Sequence, residues 1–464
     1  MGADAILLKH LSFLLVTETS TAHESMASAE SPMLEMSMAL DALECVYRAS
    51  SATVGKSFDK VGLQLVDILV KCLDEELDRR ISRNLVKLSS NVGLQDNVAV
   101  KDEAEGNATG TDVKIKEEEG VSGSEDSKLS GVDDPNEAEV EAEYIASPEE
   151  DTIILKTTRI LGHLARVGGA TKALAHFPGL LGTLLKLITL YPYQRIPWEA
   201  RLSALWTIAN LGCNSENMQL MVSTPGLIDA LVHVSCRNLH PGDSVETTMD
   251  ILRGRSIASR CLLNLSWSPQ NKIILGQQSS LIDLLTELAV HRHAPLSNSR
   301  TVKEILTKTR QHAVGALRNL AAAPRRSKIL LCSYRNGHVL GILTDAALND
   351  NDQAVKDRSF AAINNLAIHD TAEQIVNHPA LVMALKDVLL SAEEEERQSN
   401  VPSDNKEGTP RAHAAATLMV LERTITPESD SYQNLRDLLD ALNPSSPSGD
   451  EEGEDVESLH ATAV

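Results

Sequence analysis

Aromatic side chains are nearly missing from this chain: Phe, Trp and Tyr make up 3% of 464 residues. So low a share argues against a β-sandwich or an aromatic-lined ligand pocket. It suits helices packed through Leu, Ala, Ile and Val. Cysteine is sparse as well. Cys45, Cys72, Cys213, Cys236, Cys261 and Cys332 form no CxxC pair. They read as buried or half-buried free thiols in a reducing compartment, cytoplasm or nucleus. No apolar run reaches the about 18 residues that a membrane helix needs. The run from Ala5 to Val16 is broken by Lys9 and His10 and has no basic leader, so it predicts a terminal capping helix. Gly2 makes no myristoylation start, because Ile6 stands where Ser or Thr is needed.

The signatures of catalysis are missing too. The chain contains no Gly-x-Gly-x-x-Gly, phosphate-binding loop, Gly-x-Ser-x-Gly or His-Glu-x-x-His. His291 and His293 are the tightest histidine pair, but they sit in a Pro/Asn/Ser stretch without a set of Cys, Asp or Glu around them. The expectation is a protein that is not an enzyme, with no catalytic residue, cofactor or metal.

What is present is charge, unevenly placed. The formal net charge is −22. Residues 101–151 carry 18 acidic and 4 basic side chains, residues 391–410 carry 6 and 2, and residues 443–464 carry 6 and none. The stretch 152–390 has 25 Lys/Arg against 16 Asp/Glu, so it is basic by 9. The acidic segments are rich in Gly, Ser and Pro and lack apolar periodicity. They predict disorder, because they bury too little surface to offset ordering entropy. Ser122 and Ser448 each have Glu at +3, and Ser147, Thr409 and Ser446 precede proline, which makes these five the candidate phosphosites.

One phrase recurs through the basic part. It reads ALWTIANLG at 204–212, LLNLS at 262–266, ALRNLA at 316–321 and INNLA at 363–367. With its Asn as register, the positions are Asn84, His163, Asn210, Asn264, Asn319 and Asn365, flanked by Cys45 and Val420 in degenerate copies. The intervals are 39, then 79 across the acidic insert, then 47, 54, 55, 46 and 55. A 34-residue helix pair is too short for this, whereas units of about 40–47 with longer loops fit. Three helices per unit follow from the pattern: a short one after the phrase (214–222, 269–276, 324–333), an apolar one (179–190, 226–234, 280–290, 338–348, 380–390) and the phrase helix. Thr224-Pro225-Gly226 predicts a helix start, with the Thr hydroxyl as N-cap. The segments 238–244, 292–299 and 392–410 predict loops.

This order resembles the armadillo repeat: an Ala-Leu-x-Asn-Leu third helix, a short Asn/Glu-rich first helix, then Gly-hydrophobic and a Leu-rich second helix. The resemblance covers 152–442 well and 34–90 more weakly. It implies an all-α, right-handed α-solenoid of the kind found in β-catenin and importin-α. The chain then divides into an N-terminal capping helix or linker (1–33), degenerate repeats (34–95), an acidic disordered insert (96–151), the main array (152–390), an acidic loop (391–410), a degenerate capping repeat (411–442) and an acidic disordered tail (443–464).

In that family the third helices line a concave groove. Residues four and seven before the Asn share its face. The candidate groove residues are therefore Arg80, Asn84, Arg159, His163, Trp206, Asn210, Arg260, Asn264, His312, Asn319, Arg358 and Asn365. An Asn ladder either holds an extended peptide backbone or bridges neighbouring third helices, and the sequence leaves both open. Trp206-Thr-Ile-Ala-Asn210 resembles the WxxxN element of importin-α, but it occurs once, and the other positions four before Asn are Arg, Gly or Ala. A row of arginines repels a basic signal and resembles instead the β-catenin groove, and that resemblance implies an extended acidic protein segment as ligand, bound by a non-catalytic scaffold or adaptor. The acidic insert is itself such a segment, and an intramolecular contact with the groove is a further expectation. The alternatives are an importin-α-like transport adaptor, or a regulatory factor for a small GTPase or an Hsp70-type chaperone. Nucleic acid is disfavoured by the scarcity of stacking aromatics.

Overall fold

The structure, a computed structural model, describes residues 40–41, 63–82, 148–167, 170–189, 196–240, 242–294, 296, 298–399 and 409–442. Among them every regular element is helical. Helix α1 spans 63–82. Next come α2 Pro148–Leu164, α3 Thr171–Ala175 and α4 Leu180–Thr189, then α5 Trp198–Leu211, α6 Ser215–Ser223 and α7 Leu227–Ser235. The pattern continues with α8 Val245–Leu265, α9 Pro269–Leu275 and α10 Ser279–Ala289, then α11 Arg300–Ala321, α12 Arg325–Ser333 and α13 His338–Asn349. Helix α14 Gln353–Leu366 leads through a 3-10 turn, His369–Thr371, to α15 Ala372–Val376, α16 Pro379–Ser399, α17 Pro410–Thr424 and α18 Tyr432–Leu442.

Packing follows chain order. The phrase helices α2, α5, α8, α11 and α14 each lie against the next, and α17 closes that row. The apolar helices α4, α7, α10, α13 and α16 form a second row, each also packed on the phrase helix that follows it. One apolar core runs between the rows, from Leu65 and Leu77 to Leu421 and Leu435. Small residues set the close approach of the phrase helices: Ala313 and Ala316 are fully buried in α11, as is Ala258 in α8. No helix among the described residues is long and apolar enough to cross a membrane.

Local chemistry explains where the helices begin. Ser244 Oγ accepts from Thr247 N at 3.1 Å, Asp352 Oδ1 from Val355 N at 3.0 Å and Asn214 Oδ1 from Glu216 N at 3.0 Å. Each side chain satisfies a first-turn amide that has no helical acceptor, an effect of about 1 kcal/mol. The start expected at Thr224 works differently. Thr224 Oγ1 donates back to Leu220 O at 3.0 Å, and Gly226 is the N-cap of α7, with φ at 78°. Gly337 holds the same place before α13 at 85°. A side chain is strained in this left-handed region, so the turn between short and apolar helix selects glycine.

Two expected boundaries move. The acidic loop placed at 391–410 is helical through Ser399, since α16 continues across Glu393–Glu396. Glu and Arg are good helix formers, and nothing stops the helix before Pro402. The insert placed at 96–151 ends earlier, because α2 already begins at Pro148. Cys213 and Cys236, expected buried or half-buried, are exposed, while Cys261 and Cys332 are buried and Cys72 half-buried. Burial pushes the Cys72 thiol up to about 11 and those of Cys261 and Cys332 up to about 12, so these three stay protonated at neutral pH. Cys45, the capping helix at 1–33, residues 101–147, Ser122, Ser147, Ser446 and Ser448 lie outside the described residues.

Candidate functional site

The phrase helices carry two parallel ladders of side chains that reach back to the preceding helix. In the first, Asn264 Nδ2 donates to Ala209 O at 3.4 Å, Asn319 Nδ2 to Leu263 O at 3.3 Å and Asn365 Nδ2 to Arg318 O at 3.3 Å. Every acceptor is the residue just before the Asn of the preceding phrase. In the second, His312 Nδ1 lies 3.3 Å from Ser256 O, and Arg358 Nη1 donates to Gln311 O at 2.6 Å. Each of these acceptors stands eight residues before the Asn of its own helix. Of the two readings the Asn ladder allowed, the helix-bridging one is what these three asparagines do. Each spends one amide hydrogen on a neighbouring carbonyl; Asn319, which also reaches Ser266 Oγ at 3.1 Å, is buried.

Along the same helices lie four adjoining depressions. The first, about 450 Å³, is lined by Arg159, Gly162, His163, Arg166, Ser203, Trp206, Asn210 and Arg260. The second shares Trp206 and Arg260 with it and adds Arg253, Lys308 and His312. The third continues from Arg166 and Asn210 to Cys213, and the fourth from Cys213 to Asn264, Trp267, Gly315, Arg318 and Arg358. Among the described residues no Asp or Glu lines any of the four. The structure thus brings together Arg159, His163, Trp206, Asn210, Arg260, Asn264, His312 and Arg358.

One candidate stands elsewhere. Arg80 does not face this surface: it is 1% exposed, donating Nε to Glu76 at 2.9 Å and Nη1 to Asp151 at 3.0 Å. Burying a guanidinium demands charged partners, and α1 and α2 supply them. Asn84 lies outside the described residues.

The aromatic at the centre is already engaged. The Arg260 guanidinium lies 4.9 Å from the Trp206 ring centroid, a cation–π contact, while Trp206 keeps 42% of its surface exposed. Gly315 occupies the place of Arg260 one unit on. A Cβ there meets Leu263 Cδ1 at 2.9 Å and touches the Arg358 side chain at an ordinary 3.6 Å, so its absence makes room for Leu263. His312 is neutral at pH 7. Burial, with the charges of Arg260, Arg358 and Lys308, lowers it to about 4 against the opposing pull of Ser256 O.

Sequence reasoning missed part of this surface. Arg166, Cys213 and Trp267 stand three residues after His163, Asn210 and Asn264; Arg253 and Lys308 stand eleven before Asn264 and Asn319. Both offsets continue the same helical stripe, so extending the register by one turn at each end finds them. Arg318 carried no such signal, since it is adjacent to Asn319 and reaches the surface only by its length.

Among the described residues no group of three or more His, Cys, Asp or Glu is placed to hold a metal. His291 packs beside Arg255 Nη1 at 3.4 Å, and burial together with Arg255 and Arg310 lowers it to about 4. Thr409 is engaged as an N-cap, its Oγ1 accepting from Ala412 N at 3.2 Å.

Comparison with known proteins adds little. No family model matches the chain, and no curated protein matches it. A crystal structure of an engineered protein is similar over 59% of this chain and 92% of its own, at 17% identity and a TM-score of 0.42. A likeness of that size carries no argument.

Proposed function

We propose that the chain is an armadillo-type, right-handed α-solenoid that serves as a non-catalytic scaffold, binding extended acidic protein segments along the face described above. The observation that supports this most is the run of four connected depressions whose lining, among the described residues, includes arginine, lysine and histidine and no carboxylate. A connected, single-signed surface suits an extended ligand of opposite sign better than a compact one. Each Arg–carboxylate contact contributes about 1–3 kcal/mol. The order in which phrase helices and apolar helices pack on their successors supports the repeat reading. A basic signal peptide fits poorly, because Arg260 already lies over the ring of Trp206, the tryptophan of the WxxxN element.

The test is fluorescence anisotropy of a labelled Asp/Glu-rich peptide pool with the full-length chain and with the Arg159→Glu/Arg260→Glu variant. Capture weakens about tenfold or more in the variant, the equivalent of about 1.4 kcal/mol, while circular dichroism stays unchanged. Equal affinity of the two proteins sinks the assignment.

A further inference from the structure

Within the basic face the first depression differs from the others in one respect. The arginines that line only the other depressions have oxygen partners: Arg253 donates to Asp250 at 3.4 Å, Arg318 to Asn319 Oδ1 at 3.5 Å and Arg358 to Gln311 O at 2.6 Å. Around the first depression, Arg159, Arg166 and Arg260 have no oxygen acceptor among the described residues; Arg260 has only the Trp206 face and Cys213 Sγ at 3.9 Å. The Asn ladder also breaks here. Asn210, nine-tenths buried, makes no hydrogen bond through its amide, whereas Asn264, Asn319 and Asn365 all do. Three uncompensated guanidiniums and one unspent amide therefore line a single cavity of about 450 Å³.

A carboxylate does not balance that set. It brings one charge and two oxygens, enough for one guanidinium held bidentately. A phosphomonoester brings about −1.5 to −2 charge and three acceptor oxygens. Each guanidinium presents five donors in a rigid plane, so three of them with one amide match a tetrahedral anion. We propose that this depression seats the phosphoryl group of a phosphorylated side chain carried by the acidic ligand segment. This rests on the ligand class proposed above and sharpens it from acidic to phosphorylated and acidic. Binding is reversible and breaks no covalent bond.

The experiment uses the full-length protein and one Asp/Glu/Ala peptide pool whose central position is Ser, Glu or phosphoserine, read by anisotropy at fixed ionic strength. The phosphoserine pool binds about tenfold tighter than the Glu pool. Arg166→Gln, at an exposed position, and Arg159→Gln each bring that ratio close to unity, weakening the phosphoserine pool about tenfold more than the Glu pool. Arg300→Gln, outside the depressions, leaves the ratio as it is. Equal binding of the Glu and phosphoserine pools overturns the phosphoryl seat and spares the acidic-segment reading. Failure of every pool to bind overturns both. A single-stranded DNA oligonucleotide that binds as tightly as the phosphoserine pool, and depends equally on Arg166, also overturns the proposal, since the site then reads phosphodiesters at large.

Discussion

Asn319 donates its amide hydrogen to the carbonyl oxygen of Leu263 across 3.3 Å, tying one phrase helix to the one before it. The bond removes a polar group from competition for ligand and gives it to the stack. Asn319→Ala removes two bonds at a buried position and leaves Leu263 O and Ser266 Oγ with only their own bond at 2.8 Å, at a cost of about 1–3 kcal/mol. Asn365→Ala, at a half-buried position with one bond, costs less. Thermal denaturation ranks the two; equal melting temperatures for wild type and both variants refute the ladder as a structural device.

Asp350 is the most deeply held acid of the second half. It accepts from Arg310 Nε at 2.6 Å, and its side chain is wholly buried. Asp350→Ala leaves Arg310 buried without its carboxylate, a change expected to cost about 3–5 kcal/mol. Urea denaturation reads this as a lower midpoint. A variant within about 0.5 kcal/mol of wild type refutes it.

Acid destabilises this protein through histidine as well as through carboxylates. His291 and His312 are both held near 4 in the folded chain, below the ordinary value of 6.5, because burial disfavours the imidazolium. The unfolded chain therefore binds more protons between about pH 4 and 6.5, so stability is full above 6.5 and falls as pH drops towards 4. Each histidine contributes on the order of 3 kcal/mol across that window. His312→Gln removes its share of the slope. An unchanged pH dependence of the melting temperature in His312→Gln counts against the buried neutral imidazole.

Two glycines on neighbouring phrase helices answer differently to a methyl group. At Gly254 the added carbon meets Trp198 Cζ2 at 3.2 Å, part of a stiff ring. At Gly315 it meets Leu263 Cδ1 at 2.9 Å, the end of a flexible side chain. Alanine improves helix propensity by about 1 kcal/mol at either position. Gly315→Ala is therefore close to neutral, while Gly254→Ala destabilises by about 1 kcal/mol or more. Denaturation midpoints in the reverse order contradict this packing.

Much of the helical plan was legible from local signals. The apolar stripes, the Gly before α7 and α13, and the Pro at the start of α9 and α16 marked elements to within a residue or two, because caps and helix breakers act over a few bonds. Local signals misled where two of them competed. Glu393–Glu396 reads as disorder by charge and as helix by propensity, and α16 shows that propensity prevailed through Ser399.

The chemistry of the face is a different matter. Spacing alone placed Arg159, Trp206, Arg260 and Asn264 on one stripe, since a helix repeats every 3.6 residues whatever surrounds it. Only the packing of successive helices decided what each did there. It spent the Asn264, Asn319 and Asn365 amides on neighbouring carbonyls and left that of Asn210 unused. It laid Arg260 on Trp206 and buried Arg80 against Glu76 and Asp151. A hydrogen bond or an ion pair forms between groups brought within about 3 Å, and residues 40 to 70 positions apart come that close only when the helices between them have packed.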